Sequence, residues 1–598
     1  MRQHVGRKRR ASGVGFRPVV LICAIFAVSS LCIIFTRPID RDEPAGHRET
    51  RVVVGEEERG VLPESPPETA AEAVKAQPSS CATVEEMGKQ FESGSGNESL
   101  RVRRMIRDHF ARNGADRVRD LPPDKFCKHG FVMAKASEAG IGNEMYKILS
   151  AAALSLMLNR SLIIGQTRGK FPFGDYITYT NLSFTLREVK HLWRQNKCIL
   201  KHRRHLVMRI DDFENPASTN VLCSDWRRWK EPIIWFQGTT DAVGVQFFLK
   251  NVHSDMQNAA AVLFGKTEYL QGRPNVFGEL MRVIVSPSHA VQEAVGWVLN
   301  GRDEPDISVH MRMLGSRPVR AIQASLLCIR KALQRYQHHI VKPRVALVSD
   351  TPSVVEEIKQ SLNEYAEVIH FDYKMFKGNI TSGIIEPAGQ LLEFRRKDWG
   401  PMPRWVAFVD FFLASRAKYA VVAGAHRRVA TTYAQLLSAF AAAQWLDDAV
   451  SADPSFSFFS SFHSNLLAGG LADQVGWGHA WNRFAGPKSC RNQTRQCAFT
   501  PLLPSAWWDA PWQSPISRDV RRLQTYGVHL TDSGKVDEGQ LLSFCRSRKD
   551  TVKVVSFTNF CTSLSDHCCE LLQLPPSLRK QMSRIFGTSF CHFLAALD

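Results

Sequence analysis

The chain lacks an internal repeat, which excludes solenoid and propeller architectures. Its one Gly-x-Gly turn of note, Gly140-Ile141-Gly142-Asn143, lacks the third glycine of the dinucleotide fingerprint, and this excludes a nicotinamide-binding reading. Cys568 and Cys569 are adjacent, which is no metal-ligand spacing. Aromatic residues are scarce from residue 37 to about 122, where Glu, Pro, Ser, Gly and Arg dominate. Such a stretch cannot bury enough apolar surface to fold. It reads as a mostly disordered stem, 37–122, with a short helix around Arg101–Asn113.

Residues 19–35 form a run of 17 apolar or small residues without charge. As a helix it spans roughly 26 Å at about 1.5 Å per residue, close to the core of a thin bilayer. Arg2, Arg7, Lys8, Arg9, Arg10 and Arg17 precede it, and the flank after it is mixed. The positive-inside rule then predicts a cytosolic tail (1–17), a transmembrane signal anchor (18–36) and a lumenal remainder. A cleaved signal peptide is the alternative. It is disfavoured because the run exceeds a typical apolar region and no convincing small-x-small cleavage site follows.

The whole chain of 598 residues has room for two or three domains, and 44% hydrophobic with 23% charged residues is a globular composition. Its net charge of +19 falls to +13 once the six cytosolic charges are set aside. A basic surface suits a phosphate-rich partner, but a lumenal address excludes nucleic acid and favours nucleotide sugars or acidic glycans. Twelve of the 14 cysteines lie beyond the anchor, seven of them between Cys490 and Cys591. A lumenal site permits disulfides, so the C-terminal end is expected to be stapled, with no connectivity readable from sequence. Sequons at Asn97, Asn159, Asn181, Asn379 and Asn492 suit the same address, Asn159 standing close to the fold.

From Phe126 onward strand and helix signals alternate. An apolar run from Val132 leads through the glycine turn into an Ala/Leu-rich helix and a second apolar run. A second series begins at "DISVHMRM" (306–313) and continues through "PRVALVSD" (343–350), "AEVIHF" and "KYAVVAG", with helical spacing between. Successive βα units predict an α/β fold with two mostly parallel sheets, as two Rossmann-like domains facing a cleft.

Ligands of open α/β sheets bind beyond the carboxyl ends of the strands, and four features fall at such ends. Gly140, Gly142 and Asn143 permit a tight turn and a capped helix N-terminus that favours an anion, although an ordinary capped turn has the same appearance. His310 and Arg312, two apart, reach one side of the cleft, and the arginine fork matches a diphosphate. A surface ion pair beside a packed histidine is the plainer alternative. Asp350 and Thr351, in "VSDTP", suit ribose or base contacts, or simple helix capping. Finally, Gly424, His426, Arg427, Arg428, Thr431 and Thr432 run from a buried strand into a helix and hold the parts of an anion site. A solvated arginine pair is the alternative there.

The elements "GIGNE", "VHMR", "VSDTP" and "DFFLASRAKYAVVAGAHRRVATTYAQL" together resemble the GDP-fucose-dependent fucosyltransferases of the GT-B fold. That group contains the α1,2-, α1,6- and protein O-fucosyltransferases, and the plant O-fucosyltransferase-like branch is the most similar. The resemblance spans roughly Lys125 to Ala443. It implies that Arg312 contacts the donor diphosphate and assists its departure, and that His310 lies at the guanosine side or orients the arginine. It further implies Gly142 and Asn143 near donor phosphate or acceptor, Asp350 at the nucleoside, and the 424–432 loop around the β-phosphate. Such enzymes generally invert configuration and need no metal or cofactor, and Asp211-Asp212 are adjacent rather than spaced as Asp-x-Asp. The chain departs from the pattern where His426-Arg427-Arg428 replace the usual Ser or Thr pair, and where Met313 follows Arg312. Glu144 and Asp350 are candidate bases on placement alone.

The resulting expectation is a type II Golgi or ER membrane protein with an acceptor domain (123–300), a GDP-sugar domain (301–485) and a Cys-rich extension (486–598). It would transfer fucose from GDP-fucose to a protein or glycan hydroxyl. Another nucleotide-sugar donor, or a non-catalytic lumenal binder, is the alternative. The Trp-rich "SAWWDAPWQSP" (505–515) reads as an acceptor platform or as packing.

Overall fold

A computed structural model describes residues 82–557, apart from 90–95, 167–168, 267–271, 313–318, 337–341, 379–402, 424–430, 447–455, 463–494, 501, 504–516, 532–534, 550 and 552. The expected anchor, most of the stem and the Trp-rich stretch therefore lie outside the described residues. Within them no helix is long and apolar enough to cross a membrane. Contacts divide the chain into Met1–Ala76, outside the described residues, and Gln77–Asp598, the unit described below.

The strands are β1 (Phe131–Lys135), β2 (Ser161–Gly165), β3 (Ile177–Tyr179), β4 (Val207–Asp212), β5 (Ile233–Gln237), β6 (Val285–Pro287), β7 (Ile307–Met311), β8 (Arg344–Ser349), β9 (Glu367–Ile369), β10 (Tyr419–Ala423), β11 (Phe458–Phe462), β12 (Gln496–Phe499) and β13 (Lys553–Ser556). The helices named below are α1 (Gly96–Asn113), α2 (Ile141–Leu158), α3 (Leu186–Gln195), α4 (Cys198–His202), α5 (Val276–Ile284), α6 (Val319–Tyr336), α7 (Pro352–Leu362), α8 (Val406–Ala414) and α9 (Thr432–Trp445).

Two sheets result. The first has five strands in the order β13-β4-β5-β1-β2, and the second six in the order β12-β11-β10-β7-β8-β9. Within these two, all neighbours are parallel except β13 on β4 and β12 on β11. Strands β7 and β8 are buried along their whole length, as parallel strands covered on both faces must be, and this is why they read as apolar runs. In the second sheet the strand order reverses between β7 and β10; in the first it reverses between β1 and β5. Crevices at such reversals are where doubly wound sheets hold ligands. The mixed α/β architecture with two parallel-dominated sheets is as the sequence predicts.

One part of the sequence reading is corrected. Residues expected to belong to the stem fold onto the core: α1 buries Val102, Ile106 and Phe110 at four-residue spacing. The buried Arg103 of α1 grips Glu279 of α5 through two bonds of 2.8 and 2.9 Å. The same guanidinium donates to the carbonyls of Ala443 and Leu446 at 2.7 and 2.6 Å, capping the C-terminus of α9. The described part of the C-terminal extension is not a body of its own. It supplies β12 to the second sheet and β13 to the first. Disulfides Cys328–Cys497 and Cys223–Cys545 fasten it to both, while Cys127–Cys198 lies within the N-terminal half.

Between the sheets α9 packs against α5 and α2. A Cβ at Gly278 would collide with the carbonyl of Ala439, so this contact is backbone-close. Asn275 donates from Nδ2 to the same carbonyl at 2.6 Å.

Candidate active site

Strand β7 carries His310 within its last turn of pleat and releases Arg312 just beyond it. The Arg312 side chain is about one-third exposed, and its Nε holds Asp350 Oδ2 at 3.2 Å. Asp350 sits where β8 ends. Ser349 Oγ donates to the Met311 carbonyl at 2.9 Å, which ties the two strand ends together. Thr351 Oγ1 donates to Asp350 Oδ1 at 3.3 Å and is the N-cap residue of α7 without capping it by its side chain. Pro352 supplies the preset first-turn φ instead.

His310 is buried and its Nδ1 has no hydrogen-bond partner among the described residues. Burial, reinforced by the Arg312 charge and opposed by Asp350, pulls its pKa down to about 4, so the ring is neutral near pH 7. The ring lies on Tyr433 of α9, centroids 5.1 Å apart and 32° inclined. Tyr433 is in turn fixed by donation from its hydroxyl to the Ala407 carbonyl at 2.8 Å. Behind it Asp410 of α8 is buried, and desolvation pushes its carboxyl well above the ordinary range. That carboxyl, after burial, is a further cause of the raised Tyr433 phenol. Neither Tyr433 nor Asp410 was singled out in the sequence. A lone acid amid the apolar "VAFVDFFLA" was the available signal.

The glycine turn faces this group from the other sheet. Gly140 precedes α2 in an extended conformation with open space around its Cα. Gly142 has a different environment: a Cβ there would stand 2.5 Å from the Tyr433 nitrogen and 2.8 Å from Thr432 Oγ1. The N-termini of α2 and α9 thus meet at Gly142. Asn143 is expected to cap α2, but the N-cap position is Gly140 and the Asn143 side chain turns outward. Its Oδ1 accepts from Thr432 Oγ1 at 2.7 Å. Thr431 is the N-cap of α9, accepting from Ala434 N at 3.2 Å. A second bridge joins the sheets where Arg404 donates to the Glu138 carbonyl and approaches its carboxylate.

The structure therefore brings together His310, Arg312, Asp350 and Thr351 on one side, and places Gly142 and Asn143 against Thr432 on the other. Gly424, Arg427 and Arg428, with His426, lie outside the described residues. Of the two candidate bases, Glu144 is buried and accepts from Ser137 N at 2.5 Å and Lys147 Nζ at 3.0 Å, a brace for the turn. Asp350 is engaged by Arg312 and Thr351. Among the described residues no group of three or more His, Cys, Asp or Glu side chains is placed to hold a metal ion. Asp211 is buried and accepts from Trp226 Nε1 at 2.7 Å.

Solved structures with some likeness include Arabidopsis thaliana FUT1 in complex with GDP, at 13% identity, TM-score 0.32, and 52% of this chain against 69% of that one. The fucosyltransferase NodZ from Bradyrhizobium aligns at 11% identity and TM-score 0.28, over 56% of this chain and 96% of its own. POFUT1 in complex with GDP aligns at 12% and 0.28, over 54% and 96%. Likenesses this distant leave function to the residues themselves. No curated protein matches the chain. Residues 76–557 match the model of a family of unknown function, DUF7810, and the chain belongs to that family.

Proposed function

We propose that this protein is a glycosyltransferase that moves fucose from GDP-fucose to a hydroxyl of a protein or glycan acceptor, with inversion and without a metal. The observation that carries the reading is Arg312, a part-exposed guanidinium at the carboxyl end of β7, beside the strand-order reversal of the second sheet. Its Nε is committed to Asp350, so the fork is oriented before any ligand arrives. Among the described residues nothing engages its terminal amino groups, which suits them to phosphate oxygens.

In the proposed reaction the acceptor oxygen attacks the anomeric carbon from the face opposite the nucleotide. The bond from that carbon to the β-phosphate oxygen breaks, and the electron pair leaves with GDP. Arg312 stabilises the charge that grows on the departing diphosphate. Neutral His310 packs against Tyr433, which holds its ring in place beside Arg312. The acceptor proton passes to water or to the acceptor's surroundings, because Glu144 is already hydrogen-bonded. Membrane anchoring through residues 18–36 and a Golgi or ER lumenal address belong to the same proposal.

The engagement of both Glu144 and Asp350 favours a second reading, a lumenal protein that binds nucleotide without turnover. Calorimetry with GDP, UDP and their sugars, paired with a transfer and hydrolysis assay, decides between them. GDP-selective binding with fucose release supports the enzyme, and GDP binding without release supports the binder. Preference for UDP overturns the fucose donor.

A further inference from the structure

The chain enters β4, at its amino end, through a short basic knob. Between Arg194 and His205 it carries five Lys or Arg and two His, with no Asp or Glu. The knob is firmly built. Helices α3 and α4 touch one another, and Cys198 of α4 is buried in a disulfide with Cys127. Ile199 packs onto the apolar cluster that holds Trp193 and Phe126. The next residue, Leu200, points away and is 82% exposed. Both ends of α4 are left-handed without glycine: Lys197 has φ 54° and Arg203 φ 51°. Such conformations are costly and persist where the surroundings impose them. Lys197, Lys201 and Arg203, all exposed, lie within three residues of this leucine.

Arg194, Lys197, Lys201 and Arg203 make no ion pair among the described residues. The helix Pro123–Phe126, packed on α4, brings one exposed acid, Asp124, together with Lys125, and Lys128 follows it. The field stays positive. A soluble polyanion would use the cations but has no use for an exposed leucine in the same short segment. A bilayer surface uses both: the leucine enters the boundary of the acyl chains, and long basic side chains keep their charges among anionic headgroups.

We propose that the knob Arg194–His205, with Leu200 at its tip, docks on an anionic lipid bilayer. It lies at the amino end of β4, so docking leaves the strand ends that carry Arg312 free. The inference does not depend on the proposed glycosyl transfer, and because anionic leaflets face the cytosol it stands as an alternative to the proposed lumenal address.

The test uses the full chain in vesicles of phosphatidylcholine alone and of phosphatidylcholine with phosphatidylserine. Hydrogen exchange is read over residues 196–205. Comparing two compositions in one geometry separates this surface from any tethering by residues 19–35. Expected is slower exchange only with phosphatidylserine, reversed by salt at about 0.5 M. Each basic residue near an anionic surface is worth roughly fivefold in partitioning, so Arg194→Glu with Lys201→Glu is expected to abolish the protection. Leu200→Asp is expected to abolish it as well. Equal exchange on both vesicles overturns the proposal. So does full protection in Leu200→Asp, or protection by dextran sulfate that matches the vesicles, since either outcome assigns the knob to a soluble polyanion.

Discussion

Thr432 Oγ1 donates to Asn143 Oδ1 across 2.7 Å, and this one bond joins the first helix turn of one sheet to that of the other. The two residues are 289 positions apart in sequence, and Gly142 makes their approach possible by having no side chain. The glycine turn is thus a joint between two walls.

Gly140 and Gly142 should respond differently to the same change. Gly140→Ala meets open space at an ordinary φ and is expected to leave thermal stability within error. Gly142→Ala pushes into the α9 backbone, and overpacking of this kind costs about 1–3 kcal/mol. Thermal melts of the two variants, with nucleotide calorimetry, check this. Equal behaviour would remove the joint.

Arg312→Ala is expected to lower transfer by about 10²–10³ while the protein stays folded, the usual cost of removing a donor aimed at developing charge. Arg312→Lys keeps the charge but loses the fork and should recover only part of the rate. Asp350→Asn frees Nε and should show a smaller loss than Arg312→Ala. Steady-state kinetics with folded-state controls read all three, and unchanged turnover in Arg312→Ala would sink the catalytic role.

Acid should destabilise the fold well before carboxylates titrate. His109, His129 and His310 are each pulled down to about 4, in every case chiefly by burial. In the unfolded chain they take up protons near pH 6.5. Their contribution is therefore complete above that value and is lost as pH falls from 6.5 toward 4, at up to about 1.4 kcal/mol per pH unit for each group. Denaturant melts between about pH 7 and pH 5 should show the decline, and His310→Gln should lessen it while His109 and His129 keep their share. A midpoint that does not move with pH contradicts the neutral, buried histidines.

Arg103→Ala takes the two-bond partner from buried Glu279, leaving it to Arg282 at 3.5 Å, and strips two carbonyls at the end of α9. Breaking a buried pair in this way costs about 3–5 kcal/mol. Urea unfolding should show that loss, with Arg103→Met together with Glu279→Leu recovering much of it. If the single variant unfolds like the parent, α1 is not the brace that its geometry indicates.

The elements that line the site were legible because parallel strands buried on both faces leave apolar runs, as in "ISVHM" and "RVALVS". Arg312 and Asp350 followed from their places at the ends of those runs. Helix α1 was underestimated because arginine fills its outer face and only Val102, Ile106 and Phe110 mark the inner one. The close approach at Gly142 was not legible for another reason. A close backbone approach and a phosphate cradle call for the same residue, and the partner that decides between them is Tyr433, far along the chain. Tyr433 itself was hidden inside a segment read only as helix.

The return of the C-terminal segment to the first sheet bears on how the protein is made. Strand β4 keeps an open edge until Lys553–Ser556 arrives, and Cys223 waits 322 residues for Cys545. On the ribosome the first sheet therefore emerges early and is completed last. For most of translation the nascent chain presents an unpaired parallel edge, a place where chaperones and oxidoreductases have both reason and time to act.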